Sequence, residues 1–303
     1  VVTIQSVNDK TGTATITIRV AAGTNHTAPG SKTVAVSAEF LPAVGTALND
    51  CSWEDISKIA AAGLASQYWS VGATKTITIN GKVGTLSLSN LSVDVFILGF
   101  DHNSSVEGSN RIHFQIGKIS SKLIGLIDGG YNSYDTNGTK YFNMNHWGNY
   151  NYGGWAGCDL RYDVLGSTDV APSGYGSAVT TSRVGYNASA TCATNPVANT
   201  LMAALPADLR AVMKGVTKYA DAVGNGSNVV ANVKAFTDYL FLLAEFEVQG
   251  TRSYANQYEQ NYQKQYAYYS SGNSKVMYRH SATGTTAWWW LRSAIYDNYN
   301  YFG

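Results

Sequence analysis

Apolar and polar residues alternate through the first forty positions. Val2 and Ile4 open the pattern, residues 13–20 read Thr-Ala-Thr-Ile-Thr-Ile-Arg-Val, and residues 32–37 read Lys-Thr-Val-Ala-Val-Ser. A period of two in β-branched residues, broken by Asn-Asp-Lys-Thr-Gly and Ala-Pro-Gly-Ser, predicts antiparallel strands. Three strands are too few for a stable sandwich of their own. The period then changes. Ser52 is placed to cap a helix over 53–65, with Glu54 and Asp55 in its first turn and Ile56, Ile59 and Leu64 on one face. Residues 74–88 predict a hairpin turning at Asn80-Gly81. The unbroken apolar run at 93–100 predicts a central strand, and 111–116 alternates again.

The second half is less regular. Residues 143–161 are rich in Gly, Asn, Tyr and Trp, and a short helix is expected near Trp155, carrying Leu160 and Val164 inward. Residues 166–195 read as a long surface loop. Leu201, Met202, Leu205, Leu209 and Val212 stand at helical spacing, with Pro206 splitting them into two short helices. Residues 214–219 turn extended. Residues 239–246 are strongly apolar, and Glu245 and Glu247 are read as strand neighbours facing opposite sides. Residues 254–269 predict a helix with Tyr258, Tyr262 and Tyr266 on one packed face. The fold class that follows is α+β. The chain ends on Trp288, Trp289, Trp290, Tyr296, Tyr299, Tyr301 and Phe302, with only Ser, Asp and Asn as polar residues after Arg292. Stiff aromatics among small hydrogen-bonders make the composition of a binding loop.

Composition sharpens this. Charged residues are 14% of the 303 positions, against roughly 25% in an average soluble domain. Tyr, Gly, Asn, Ser and Thr take their place, as on extracellular or virion surfaces. The net charge of +1 gives no electrostatic basis for binding nucleic acid. No run is long and apolar enough to insert in a bilayer. Cys51, Cys158 and Cys192 are too few and too scattered for a disulfide framework or a zinc site. The plain reading is three buried thiols, with a Cys158–Cys192 bridge left open. The chain begins on strand-like sequence without an initiator Met, so Val1 is read as lying inside a longer polypeptide.

Candidate chemistry is sparse. Among His26, His102, His113, His146 and His280 no pair stands three or four residues apart, so no metal, catalytic residue or cofactor is expected. Gly-x-Ser-x-Gly is absent, and Gly153-Gly154 is not followed by a phosphate-loop Lys-Ser/Thr. Arg292 is expected to pair with Glu245 or Glu247, and Trp289 to be core.

Two resemblances stand out. Residues 12–36 resemble the last strands of bacterial immunoglobulin-like repeats of surface adhesins and phage structural proteins. Asn-Tyr-Gly-Gly-Trp-Ala-Gly-Cys-Asp-Leu-Arg (151–161), Leu-Met-Ala-Ala-Leu-Pro-Ala-Asp-Leu-Arg-Ala-Val-Met-Lys-Gly-Val-Thr-Lys (201–218) and the stretch from 241 to Trp-Trp-Trp-Leu-Arg-Ser (288–293) together resemble phage and prophage variable proteins. Those proteins have a C-type-lectin-like fold and are diversified by retroelements. The resemblance implies a partial immunoglobulin-like β module at 1–42, a connector with a helix at 43–70, and a C-type-lectin-like ligand-binding domain at 71–303. It implies a phage virion surface protein, in a tail fibre or appendage, that binds a host bacterial surface glycan or protein. The variable binding residues would be Ile295, Tyr296, Asp297, Asn298, Tyr299, Asn300 and Tyr301, with Trp288 flanking. Other virion subunits and a homo-oligomer, a trimer or a many-copy display, are the expected partners. The calcium-binding Glu-Pro-Asn and Trp-Asn-Asp tripeptides of sugar-binding lectins are absent. The family usually runs past Tyr-Phe to a closing strand, so this chain, stopping at Gly303, is expected to show an incomplete face. The alternative is a structural or decoration protein of the virion with no ligand of its own.

Overall fold

The computed structural model describes the strands at 2–8, 13–18 and 32–37, and residues 47–83, 86–119, 122–126, 144–145, 151–169, 191–224, 228–280, 282–297 and 302. Contacts divide the chain into two compact units, Val1–Val44 and Gly45–Gly303. In the first, β1 (Val2–Asn8), β2 (Thr13–Ile18) and β3 (Lys32–Ser37) form an antiparallel sheet in that order. Val2 faces Ile18 and Thr13 faces Ser37 across the ladders.

The second unit is α+β. It opens with α1 (Trp53–Ala61), whose N-cap Ser52 accepts the Asp55 N–H, as the Ser-x-x-Asp spacing requires. Trp53, Ile56 and Ile59 are buried, and Trp53 meets Phe114 edge-on at 5.5 Å. After α2 (Ala65–Tyr68) come β4 (Thr74–Val83), β5 (Leu86–Phe100), α3 (Ser104–Glu107), β6 (Ile112–Ile119) and β7 (Lys122–Ile124). Much later, β10 (Met277–Tyr278) and β11 (Thr286–Ala287) complete a six-stranded sheet in the order β11-β10-β7-β6-β5-β4. Its pairs are antiparallel except β7–β10, where Leu123 lies beside Met277 in parallel. Val95, Phe96, Ile97 and Leu98 of β5 are all buried. That covering of both faces is why the strand shows an apolar run rather than an alternation. Phe96 and Leu98 pack with Leu123, Leu243, Tyr266 and Tyr268 in the main core.

Between β7 and β10 the described elements are short. They are α4 (Gly154–Gly157), a π-helical turn (Leu160–Val164), α5 (Leu201–Ala204), α6 (Ala207–Val212), the hairpin of β8 (Val216–Asp221) and β9 (Val233–Asp238) with a 3₁₀ turn (Val230–Asn232) before β9, α7 (Glu245–Gln249), a second 3₁₀ turn (Gln257–Asn261) and α8 (Ala267–Ser270). Leu160 and Val164 point inward, and Pro206 separates α5 from α6. Buried Asp238 on β9 ties this region together. It takes the Trp155 Nε1–H at 2.7 Å and pairs with Arg161 at 2.7 Å. The three cysteines are buried and in no disulfide.

Several local expectations are corrected. The hairpin does not turn at Asn80-Gly81. β4 passes straight through that pair as a bulge, in which Asn80 Oδ1 accepts the Asn90 N–H. Continuing the arms buries Val83 completely, which outweighs the local turn preference. Glu245 and Glu247 lie on a helix, not a strand, because a short apolar run without a period suits a buried helix equally well. The tyrosine stripe is no continuous helix: Tyr266 is core, while Tyr262 stacks on Tyr219 at 4.1 Å. Trp289 is only half-buried, packed against the margin of the core.

Candidate ligand-binding surface and its buried support

The segment 291–294 is held from below by charges in a dry interior. Arg292 and Glu247 are both fully buried. The guanidinium grips the carboxylate with two bonds, Nη1 to Oε2 at 2.5 Å and Nη2 to Oε1 at 2.8 Å. Planar two-point geometry of this kind is the strongest form of side-chain pairing. Arg292 Nη1 also donates to the Leu242 carbonyl, and Arg292 N to the Leu243 carbonyl. Of the two acids named from sequence, the structure selects Glu247, which also accepts the Ala244 N–H at the start of α7. Burial would raise the Glu247 carboxyl, but Arg292 and Lys218 outweigh it and hold it well below the usual carboxylate range.

Glu245 has different work. Its carboxylate accepts the backbone N–H groups of Ser253, Tyr254 and Ala255 at 2.6–2.9 Å, so it fixes the loop after α7. Gly250, at φ +73°, makes the left-handed exit from that helix. The next residue in the support, Ser293, accepts the Glu245 N–H and donates to Glu259 Oε2 at 2.8 Å. Glu259 has no exposed surface, and burial pushes it up to about 7 although the Asp221 N–H, the Ser293 hydroxyl and Arg292 pull the other way.

On this support the chain turns outward. Ala255 bridges to Ile295, Tyr296 N–H donates to the Tyr254 carbonyl, and Asn151 Nδ2 donates to the Ile295 carbonyl. Ala294 then bridges to Phe302, and both are buried. The chain is therefore anchored on both sides of residues 298–301, at Ala294–Tyr296 before them and at Phe302 after them. Ile295 and Tyr296 are half-buried and Asp297 is exposed. The Tyr296 ring lies under the Arg252 guanidinium at 4.3 Å, and Tyr254 beside it is 55% exposed. Trp288 is 92% exposed. Asn298, Tyr299, Asn300 and Tyr301 lie outside the described residues. Arg252 and Tyr254 had no signal in the sequence; the Glu245 carboxylate fixes their loop, and the Ala255–Ile295 bridge and the Tyr254–Tyr296 bond join it to 295–296.

A second buried cluster adjoins the first. His102, Glu107 and His113 place their ligand-type atoms within 4.8 Å of one another, although their sequence spacing suggested no such set. Lys218 brings its own positive charge to them, with Nζ 2.9 Å from Glu107 Oε2 and 2.9 Å from Glu247 Oε1. Lys218 also donates to the Tyr266 hydroxyl at 2.7 Å, which leaves that hydroxyl to donate to His113 Nδ1 at 2.8 Å. Burial, with Lys218 close by, pushes His113 well below its ordinary value, so it sits as the neutral acceptor. His102 faces acceptors at both nitrogens, Glu107 at 3.0 Å and the Lys264 carbonyl at 2.8 Å, and stacks on Tyr266 at 3.7 Å. An ammonium bonded to two carboxylates supplies here the charge that a cation would bring. The Gly153-Gly154 amides are likewise already used, by the Val223 and Asn151 carbonyls.

Residues 133–302, more than half of the chain, match the family described as Domain of unknown function (DUF6273). The chain belongs to that family. The DUF6273 region contains the Glu247–Arg292 pair, Lys218, Glu259 and residues 295–301. It starts inside the second compact unit, so β4, β5, β6 and β7 precede it while β10 and β11 of the same sheet lie within it. No curated protein and no solved structure matches the chain.

Proposed function

We propose that this DUF6273 protein is a surface-displayed binding protein that takes its ligand on the aromatic face around residues 295–301. The observation that carries the reading is the anchoring on either side of this segment. Its ends, Ala294 and Phe302, are buried and bridged, and Arg292 and Ser293 just before it are locked by Glu247 and Glu259. Such a base lowers the ordering cost of binding, because the displayed residues are presented on a framework already fixed. Tyr254, Tyr296 and Trp288 supply rigid stacking area; Asp297, Asn298 and Asn300 supply adaptable hydrogen bonds, with Tyr299, Tyr301 and Ile295 completing the segment. The ligand class is a bacterial surface glycan or protein. The finer reading is a phage virion appendage in which a C-type-lectin-like domain follows an immunoglobulin-like module. Multivalent display would strengthen weak single sites.

The test is attachment to bacterial cells and to a glycan array by the protein presented in many copies. Trp288→Ala combined with Tyr296→Ala is expected to lower binding by about tenfold or more, the loss of two aromatic anchors. Their melting temperature should stay unchanged. Attachment equal to wild type would refute the reading. Burial of residues 295–303 against another subunit in an assembled particle would favour the structural or decoration role instead.

A further inference from the structure

His113 of the buried cluster also lines a cavity of about 180 Å³. It opens between α1, α6 and β6. Trp53, Phe114, Leu209, Val212, Met213 and Phe241 form most of its wall. The last five of these are half-buried, so their apolar surface is partly bare. Ser57, Asn110, His113 and Tyr239 also line it, and its charged groups are of one sign. Arg111 and Lys214 line it, and among the described residues no Asp or Glu does. Arg111 Nη1 donates to the Gly215 carbonyl at 2.8 Å, which occupies one of the five guanidinium donors. The Asp101 carboxylate accepts the Arg111 backbone N–H at 3.0 Å, but among the described residues no carboxylate pairs with the side chain of Arg111 or of Lys214.

We propose that this cavity is a binding site for a small amphipathic carboxylate, with its hydrocarbon or aromatic body among the apolar walls and its carboxylate on Arg111. Size supports the class, since an engineered apolar cavity of roughly 150 Å³ takes benzene. Charge selects the head group. A guanidinium with spare donors matches a carboxylate by geometry as well as by sign, while an amine would meet two cations. The walls sort ligands by bulk and Arg111 sorts them by charge. The site is separate from the aromatic face around 295–301, and neither reading depends on the other.

The experiment is calorimetric titration of the full chain with octanoate, 1-octanol and octylamine at pH 7.5. Octanoate should bind about tenfold or more tightly than octanol, the value of a charge-assisted pair, and octylamine should bind weakest. Arg111→Met should bring octanoate down to the level of octanol. Lys214→Glu, at an exposed position of the cavity edge, should weaken octanoate alone. Leu209→Trp should block all three ligands by filling the cavity, with melting curves confirming that each variant folds. Equal affinity for octanoate and octanol would overturn the proposal. So would preference for octylamine, or no binding of any of the three at millimolar concentration, which would leave the cavity to a protein segment.

Discussion

Arg292→Met tests whether the buried pair fixes the displayed loop. Methionine keeps much of the volume and removes the charge. Glu247 would then keep only Lys218 as a cationic partner, at 2.9 Å, and would lose both guanidinium bonds. The Leu242 carbonyl would lose its donor as well. Breaking one partner out of a fully buried pair costs about 3–5 kcal/mol, mostly from the uncompensated charge left behind. That is a large part of a total stability of roughly 5–15 kcal/mol. For a unit of this size, each 1 kcal/mol moves the melting temperature by roughly 2–4 °C, so a fall of about 10 °C is expected. Urea unfolding gives the free energy directly. The double variant Arg292→Met/Glu247→Gln is the informative comparison. Neutralising the stranded acid should recover part of the loss, giving a non-additive cycle. A single variant within about 1 kcal/mol of wild type, or a double variant as unstable as the sum of the singles, would refute the reasoning.

Glu259 predicts a pH dependence of opposite sign to Glu247. Its folded value is raised from 4.5 to about 7, so its stabilising contribution is complete below 4.5 and is lost as pH rises through 7. The loss is roughly 3 kcal/mol, read as the difference in unfolding free energy between wild type and Glu259→Gln at pH 4.5 and pH 8; a difference that does not change with pH would contradict it. Glu247 is held low, so its contribution is present above 4.5 and disappears as pH falls below that value. Gly154→Ala should destabilise by about 3 kcal/mol or more, because φ is +54° and the new Cβ would fall 1.9 Å from the Asp221 carbonyl oxygen. Gly284→Ala, with nothing within 4 Å, should stay within about 0.5 kcal/mol in the same melting assay. Trp155→Phe removes the Nε1 bond to Asp238 inside a fully buried pocket, and should cost about 1–3 kcal/mol in urea unfolding.

Much of the local order was legible along the chain. The Ser52 cap with Ile56 and Ile59 behind it, the central strand at 93–100, and the break at Pro206 each follow from chemistry spanning a turn or two. So did the need of Arg292 for an acid, because a long cation within an apolar segment has to be paired. The failures share one cause. Asn80-Gly81 is a good turn by itself, yet burial of Val83 carries both strands beyond it. Residues 239–246 are apolar enough for a strand, yet Glu247 makes them the approach to a helix by capping Ala244 and meeting Arg292.

The sequence by itself determined an α+β chain with strands first, little charge, and an aromatic, asparagine-rich end, because hydrophobic period and turn chemistry act between near neighbours. Only the tertiary structure decided that Glu247 is the partner of Arg292 and that Lys218 sits between Glu107 and Glu247. It alone brought Arg252 and Tyr254 to Tyr296, tied Ala294 to Phe302, and left Arg111 beside an apolar cavity without an acid. Apart from the Ala294–Phe302 bridge, these contacts join residues tens to more than a hundred positions apart. Their energies come from desolvation and pairing in a shared interior, which exists only once the whole chain has closed around it.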